Sequence, residues 1–344
     1  MTRPLPPAEW APHAAVWIGF PSHPELWEAD LEPAQEEVAA FARAVHAGGR
    51  GERVLLVAAN DAAAAAAERL AGDVASVVVE PFGDIWLRDT GPIVLSDGSA
   101  RDFGFNGWGG KYDLPGDDDI GRRLAARKKL PVESCDWVLE GGAIDGDGTG
   151  LVVTTEQCLL NPNRNPSLTR SEIEQRLRDD LGLVDVLWLG DGLMHDHTDG
   201  HVDNLARFVA PGVLVIPEAA ENDPNWLVYQ RAAQAASAKD GIELVRIPSP
   251  GRVLRDDEIV PASYMNFYIG NAAVVLPPYG APNDDAAVAA VPALSPARAA
   301  EGLRAAAILT GAGSFHCISQ HVPAQRGALG SAPPLCTSLP RVVD

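Results

Sequence analysis

An α/β fold is predicted by two features of the chain. Short β-branched apolar runs alternate with helix-spaced apolar patterns from end to end, and no long linker or low-complexity segment interrupts them. Length alone would suit about two domains. No boundary is visible, so one continuous domain is expected over residues 1–324. Residues 325–344, rich in proline, glycine and serine and carrying Cys336, are expected to form a flexible tail. No repeat period is readable in the sequence.

The elements follow in order. Pro24–Gly48 carries a helical pattern, with Val38, Phe41 and Val45 on one face. Arg53–Asn60 reads as a buried strand. An alanine-rich helix follows over Asp61–Leu70, with Asp61 as its N-cap and Gly72 as its stop. Val74–Pro81 is a second strand. Asp84–Leu95 reads as a strand interrupted by polar residues and a Gly-Pro break. Val138–Ile144 and Leu151–Thr155 read as strands around a glycine-rich turn. Ser167–Leu181 is a helix entered by Ser167 or Thr169, with Glu172 near a capping-box position. Val184–Leu189 is a strand, and His201–Val209 with Gly212–Ile216 form a hairpin-like pair. Helices are expected over Asn225–Lys239 and Asp284–Ala290, and strands over Glu243–Ile247 and Ala272–Leu276. Leu294–Leu303 carries helical signals ahead of a strand over Ala305–Thr310.

Composition narrows the function classes. With 46% apolar and 22% charged residues, the chain suits a globular enzyme. The net charge of −20 argues against nucleic acid and anionic membranes as partners and is compatible with a small cation. No apolar run approaches the roughly 20 residues of a membrane helix. Cys135, Cys158, Cys317 and Cys336 form neither a disulfide pattern nor C-x-x-C spacing. A reducing cytoplasm is the expected location.

Chemistry concentrates in a few stretches. Gly311–Gln320 places Cys317 after a glycine-rich approach, where a thiol could be held at a cleft floor. Most free cysteines instead fill cores. His195–Asp203 holds three histidines and three aspartates. If His201–Asp203 is extended, both side chains share a face. A metal set of His197, His201 and Asp203 is conceivable, but Gly200 breaks the run and the spacing matches no helical zinc motif, so a metal-free catalytic cluster is preferred. Asp145–Glu156 fits a calcium-loop pattern, yet its flanks are not helical and its Asp-Gly pairs suit a hairpin turn. Gly107–Lys111 lacks phosphate-loop spacing. Trp86 is either core packing or an aromatic wall facing a cation. Cys317, His201, Asp203, Asp89 and Glu140 then form a candidate set. A thiol, a histidine and several carboxylates suit attack on the electron-poor carbon of a guanidinium, whose planar fork paired carboxylates can grip.

Seven motifs, in order, resemble the agmatine deiminase family. They are Trp86–Pro92 (W-L-R-D-T-G-P), Phe105–Tyr112, Val138–Asp145, Leu159–Pro166, Asp196–Asn204 (D-H-T-D-G-H-V-D-N), Ser263–Tyr268 and Ser314–Gln320 (S-F-H-C-I-S-Q). The resemblance covers about Pro7 to Pro323. It implies the pentein fold, five ββαβ-type modules in a pseudo-fivefold α/β propeller with a central active site. It implies hydrolysis of agmatine to N-carbamoylputrescine and ammonia, in putrescine and polyamine biosynthesis, without metal or cofactor. Cys317 would be the nucleophile, His201 the general acid and base, Asp89 and Asp203 the guanidinium carboxylates and Glu140 a further active-site acid. Trp86 is a candidate substrate contact on residue chemistry alone, as an aromatic wall. Family members are commonly homo-oligomers, so a dimer or larger assembly is expected. Ala312 departs from the pattern, standing where many members have a second consecutive glycine. Rival readings are a peptidyl-arginine or arginine deiminase, a metal-dependent hydrolase using His195–Asp203, and a non-catalytic polyamine-binding protein.

Overall fold

The computed structural model describes residues 3–325. The expected tail, with Cys336, lies outside the described residues apart from Gln325. One unit recurs five times. An antiparallel strand pair is followed by a helix, and a third strand then joins parallel to the second. Four sheets contain this unit alone. They are Ile93–Val94/Ala100–Gly104/Val132–Val138, Ile144–Gly146/Leu151–Thr154/Asp185–Trp188, Arg207–Ala210/Val213–Glu218/Glu243–Pro248 and Tyr268–Ile269/Ala273–Leu276/Ala299–Gly302. The remaining one joins the two ends of the described chain. His13–Phe20 runs antiparallel to Ser319–Pro323, with Trp17 opposite Gln320, and parallel to Arg53–Ala58, with Trp17 opposite Leu55. Ala75–Val79 extends it.

Local chemistry explains most boundaries. Asn60 caps the helix Asp61–Ala71 by accepting from Ala63 N at 2.9 Å, so the cap lies one residue ahead of the expected Asp61. Thr169 and Glu172 form the reciprocal box at the start of Arg170–Leu181. The helix Leu31–His46 turns Val38, Phe41 and Val45 into the core. Phe41 stacks on Phe315 with centroids 4.7 Å apart, which anchors the turn leading to Cys317. Burying one such ring contributes about 1.5–3 kcal/mol.

Several expectations need correction. Asp84–Leu95 is a short helix, Leu87–Thr90, with only Ile93–Val94 extended. Asp89 accepts a backbone bond there and the chain turns instead of running on. The strand before the Gly141-Gly142 turn is Val132–Val138, and Gly141–Ala143 is a tight helical turn. Ala299–Gly302 is a strand, because Ala273–Leu276 offers it a parallel partner. Ile308–Gly311 is a single helical turn, although Ala305–Thr310 reads as a strand. His201 and Asp203 are not extended. His201 caps the turn Val202–Asn204. Asp145–Glu156 is the hairpin, with Asp147 accepting from Thr149 N at 2.8 Å across its bend.

The repeat places chemistry at equivalent points. Asp89, Glu140 and Asp203 each stand four residues ahead of the leading strand of a sheet, at Ile93, Ile144 and Arg207. Asn266 and Cys317 each stand two residues ahead of theirs, at Tyr268 and Ser319.

The glycines before Cys317 serve Trp86. A Cβ on Gly311 would stand 2.1 Å from the Trp86 ring, and one on Gly313 2.5 Å from it. Ala312 between them adopts φ +66°, a left-handed conformation that an L side chain disfavours. Ala312→Gly is expected to raise stability by roughly 0.5–1 kcal/mol, after the lost chain entropy of alanine is allowed for. A small rise in Tm, with kcat unchanged, checks it.

Candidate active site

The short turns before the leading strands bring five predicted residues together. Cys317 and Asp89 are almost fully buried, and His201, Asp203 and Glu140 are completely so. The Cys317 thiol points at Asp203 Oδ2, 3.3 Å away, and receives the Asn266 side-chain amide at 2.9 Å. Asn266 Oδ1 in turn accepts from the backbone of His316 at 3.1 Å and of Cys317 at 3.2 Å. One asparagine thereby fixes both the turn and its sulfur.

Asp89 is oriented on both sides. Oδ1 accepts from Gly142 N at 2.9 Å, and Oδ2 from Trp108 Nε1 at 3.0 Å. His201 Nδ1 faces Asp89 Oδ1 at 3.6 Å, and neither ring nitrogen has a hydrogen-bond partner. Glu140 offers Oε1 to Arg164 Nε at 2.5 Å and leaves Oε2 unpaired. Arg164 is held by Asp199 at 2.6 Å and by the Thr198 carbonyl at 2.8 Å. Buried unpaired polar atoms are expensive, about 1–3 kcal/mol each. Glu140 Oε2, both His201 nitrogens and Asp203 Oδ1 form such a group around the thiol. The site is built for a ligand that donates several hydrogen bonds.

His316 is a structural neighbour that the sequence singles out only by adjacency. Its Nδ1 lies 2.7 Å from Asp203 Oδ2 and its Nε2 2.8 Å from Glu9 Oε2. Glu9 also pairs with Arg207 at 2.7 Å and accepts from Ile269 N at 2.6 Å. Nothing in the sequence marks Glu9, which lies in the N-terminal segment far from every motif residue.

Electrostatics set the resting protonation states. Burial pushes Asp89 up to about 6, with His201 opposing and Asp203 adding to the rise. Burial opposes ionisation of Asp203 too, but its bond to His316 and the charges of His316 and His201 hold it below the usual carboxylate range. Burial disfavours the His201 imidazolium, yet Asp89, the Cys158 sulfur and Glu140 raise it well above the ordinary histidine value. Burial, then Asp203 and Asp89, push the Cys317 thiol well up. The resting site is therefore a protonated thiol beside an imidazolium and an ionised Asp203.

A cavity of about 180 Å³ opens onto Cys317 and Asp89, walled by Trp86, Trp108, Tyr112 and His197. Trp86 Nε1 donates to Asp84 Oδ2 at 2.7 Å, and Asp84 also lines the cavity. Trp86 lines the cavity and also packs in the core, its ring stacked on Trp27 with centroids 6.4 Å apart. His197 stands at the rim, bound to Tyr112 Oη at 2.7 Å. Among the described residues, the donors that converge are Glu140, Cys158 and His201, not His197, His201 and Asp203. The turn at Val202–Asn204 sends Asp203 toward His316 instead.

The comparisons with known proteins agree in one direction. The Porphyromonas-type peptidyl-arginine deiminase family matches residues 5–323. An agmatine deiminase of Stutzerimonas stutzeri is 38% identical, covering 92% of this chain and 95% of its own. The solved agmatine deiminase of Enterococcus faecalis superposes with a TM-score of 0.87 at 30% identity, covering 93% of this chain and 96% of its own. An amidinotransferase of Microseira wollei, at 11% identity and a TM-score of 0.56, shares the fold alone.

Gly142 lies among the charged groups. A Cβ there would stand 2.6 Å from His201 Nδ1 and 2.7 Å from Asp89 Oδ1. Gly142→Ala is expected to lower kcat/KM by roughly 10²-fold with the fold retained, since about 1 Å of misplacement has that effect. Steady-state kinetics beside a circular dichroism melt checks it.

Proposed function

Because the chain belongs to the Porphyromonas-type peptidyl-arginine deiminase family, we propose that it hydrolyses agmatine to N-carbamoylputrescine and ammonia. The observation that carries the reading is the buried thiol of Cys317 beside Asp203, in a cavity that Cys317 and Asp89 line, with His201 3.6 Å from Asp89.

The protonation states fit the reaction. Asp89, Asp203 and Glu140 grip the guanidinium and hold it planar before the thiol. The substrate's positive charge offsets the burial and the carboxylates that keep the thiol protonated, so Cys317 gives up its proton to solvent as the guanidinium binds and the thiolate forms. The thiolate attacks the guanidinium carbon. Imidazolium His201 protonates the departing nitrogen, and ammonia leaves an S-alkylthiouronium. Neutral His201 then takes a proton from water as its oxygen attacks the same carbon. Collapse breaks the carbon–sulfur bond, and the departing Cys317 thiolate takes the hydroxyl proton as the carbamoyl product forms.

The cavity favours an amine at the substrate's far end. Its described lining contains Asp84 and three aromatic rings but no lysine or arginine. Lys111, nearby, is tied to Asp199 at 2.6 Å and the His197 carbonyl at 2.7 Å. An ammonium gains from such a wall, whereas a carboxylate or peptide group finds no cationic clamp.

Finer features belong to the same proposal. The repeated sheet unit supports a pseudo-fivefold arrangement in one domain, with the short turns converging centrally. No helix among the described residues is long and apolar enough to cross a membrane. A cytoplasmic homo-oligomer that acts in putrescine biosynthesis completes the reading.

Ammonia release from agmatine is expected to exceed that from arginine and from a peptide ending in arginine. Greater turnover of either rival overturns the substrate assignment. Mass spectrometry is expected to trap a thiouronium adduct on Cys317, and Cys317→Ser to lower kcat by roughly 10³-fold or more.

Asp89 also dictates a pH response. Its carboxyl binds a proton as pH falls through about 6 and then no longer pairs with a guanidinium. The acid limb of kcat/KM is expected to bend near pH 6 and fall about tenfold per unit below it. A pH–rate profile that is flat from pH 7 to 5 refutes this role.

A further inference from the structure

Cys158 has no part in the reaction above, yet it adjoins the general acid and base. It lies wholly buried on the short helix Glu156–Leu159. The helix cap, Thr155, donates its hydroxyl to the Gly200 carbonyl at 2.6 Å, which ties Cys158 to the loop carrying His201. Cys158 Sγ, a His201 ring nitrogen and a Glu140 oxygen all lie within 4.8 Å of one another. Glu140 Oε2 and both His201 nitrogens are buried and have no partner. A carboxylate oxygen, an imidazole nitrogen and a thiol sulfur, all buried, thus face one another as three potential metal donors.

We infer that Glu140, Cys158 and His201 form an inhibitory site for a thiophilic divalent cation, with zinc as the representative. One sulfur, one nitrogen and one oxygen donor match the ligand types of zinc rather than of magnesium or calcium. Zinc bonds of about 2.0–2.3 Å place tetrahedral donors roughly 3.6 Å apart. The triad, whose donors lie within 4.8 Å of one another, leaves a fourth position to water. Binding expels the thiol proton of Cys158 and the acidic proton of the His201 imidazolium, so two protons leave for each cation bound. Asp89, 3.6 Å from His201, adds negative charge, while Arg164 on Glu140 opposes the cation. The metal engages the imidazole that would carry the catalytic proton, and the protein is silenced without touching Cys317. This goes beyond the agmatine reading and holds whichever guanidine is the substrate.

The test uses the full chain with Cys317→Ser, which removes the competing nucleophile. Cobalt(II), a spectroscopic stand-in for zinc, is expected to bind one equivalent with a thiolate-to-cobalt charge-transfer band in the near ultraviolet. Zinc is expected to displace it. The band is expected to vanish when Cys158→Ser is added, with Cys158→Ala as the alternative should serine disturb folding. In chains retaining Cys317, zinc inhibition is expected to reverse with a chelator. Cys158→Ser is expected to raise the half-inhibitory zinc concentration at least roughly tenfold. A band that persists without Cys158, no cobalt binding, or unchanged zinc sensitivity overturns the inference. These binding results stand apart from any failure of the agmatine assay.

Discussion

The site depends on one buried chain of charge, from Arg207 through Glu9 and His316 to Asp203. Asp203 has no access to water, and an isolated carboxylate there would take up a proton. His316 prevents this by bonding its Oδ2, and Glu9 keeps His316 oriented by taking the opposite nitrogen. Glu9 in turn needs Arg207, because burial alone would raise its pKa and only the adjacent cations hold it well below the carboxylate range. Removing one partner from a buried pair of this kind costs about 3–5 kcal/mol. An N-terminal residue therefore maintains the ionisation of an acid beside the thiol.

The same burial makes the free site electrostatically incomplete. Three carboxylates converge with one imidazolium, and burial, reinforced by the charges of Asp203 and Asp89, keeps Cys317 protonated. A guanidinium supplies both the missing charge and the missing donors. Each charge-assisted hydrogen bond contributes roughly 1.5–3 kcal/mol, more than the neutral bonds that hold the surrounding turns. Substrate binding and thiol activation are thus one event. A resting enzyme with an inert thiol is also less exposed to oxidants, which react with thiolates.

Sequence reading succeeded where structure is local. Helices with an amphipathic face and a cap, such as Arg170–Leu181, follow from side chains a few residues apart. It failed where a partner strand decides, as at Ala299–Gly302, whose extended form depends on pairing with Ala273–Leu276. The recurring sheet unit was invisible because it repeats connectivity and not residues. The candidate set emerged from residue chemistry, and roles came from resemblance. The donor geometry is not legible in the sequence, because it depends on a tight turn at Val202–Asn204 and not on an extended segment. A tight turn there sends His201 toward Asp89 and Asp203 toward His316. Glu9, Asn266 and Cys158 carried no signal of their own. Their importance arises only from neighbours many residues away.

Equivalent placement explains why so few residues can be moved. Asp89, Glu140 and Asp203 occupy the same offset from three different leading strands, so each carboxylate is carried on a turn whose far end is locked into a sheet. Gly142 shows the tolerance that results. It accepts no side chain because two of these carboxylates and His201 close over it. A loop-borne site of this kind gains the rigidity usually reserved for strands and helices. The rigidity also preserves unpaired donors, since the turns cannot relax to satisfy them. The arrangement that holds Glu140 and His201 open for a guanidinium therefore holds them open beside Cys158 as well. Sensitivity to a thiophilic cation is a physical consequence of keeping the site preorganised for catalysis.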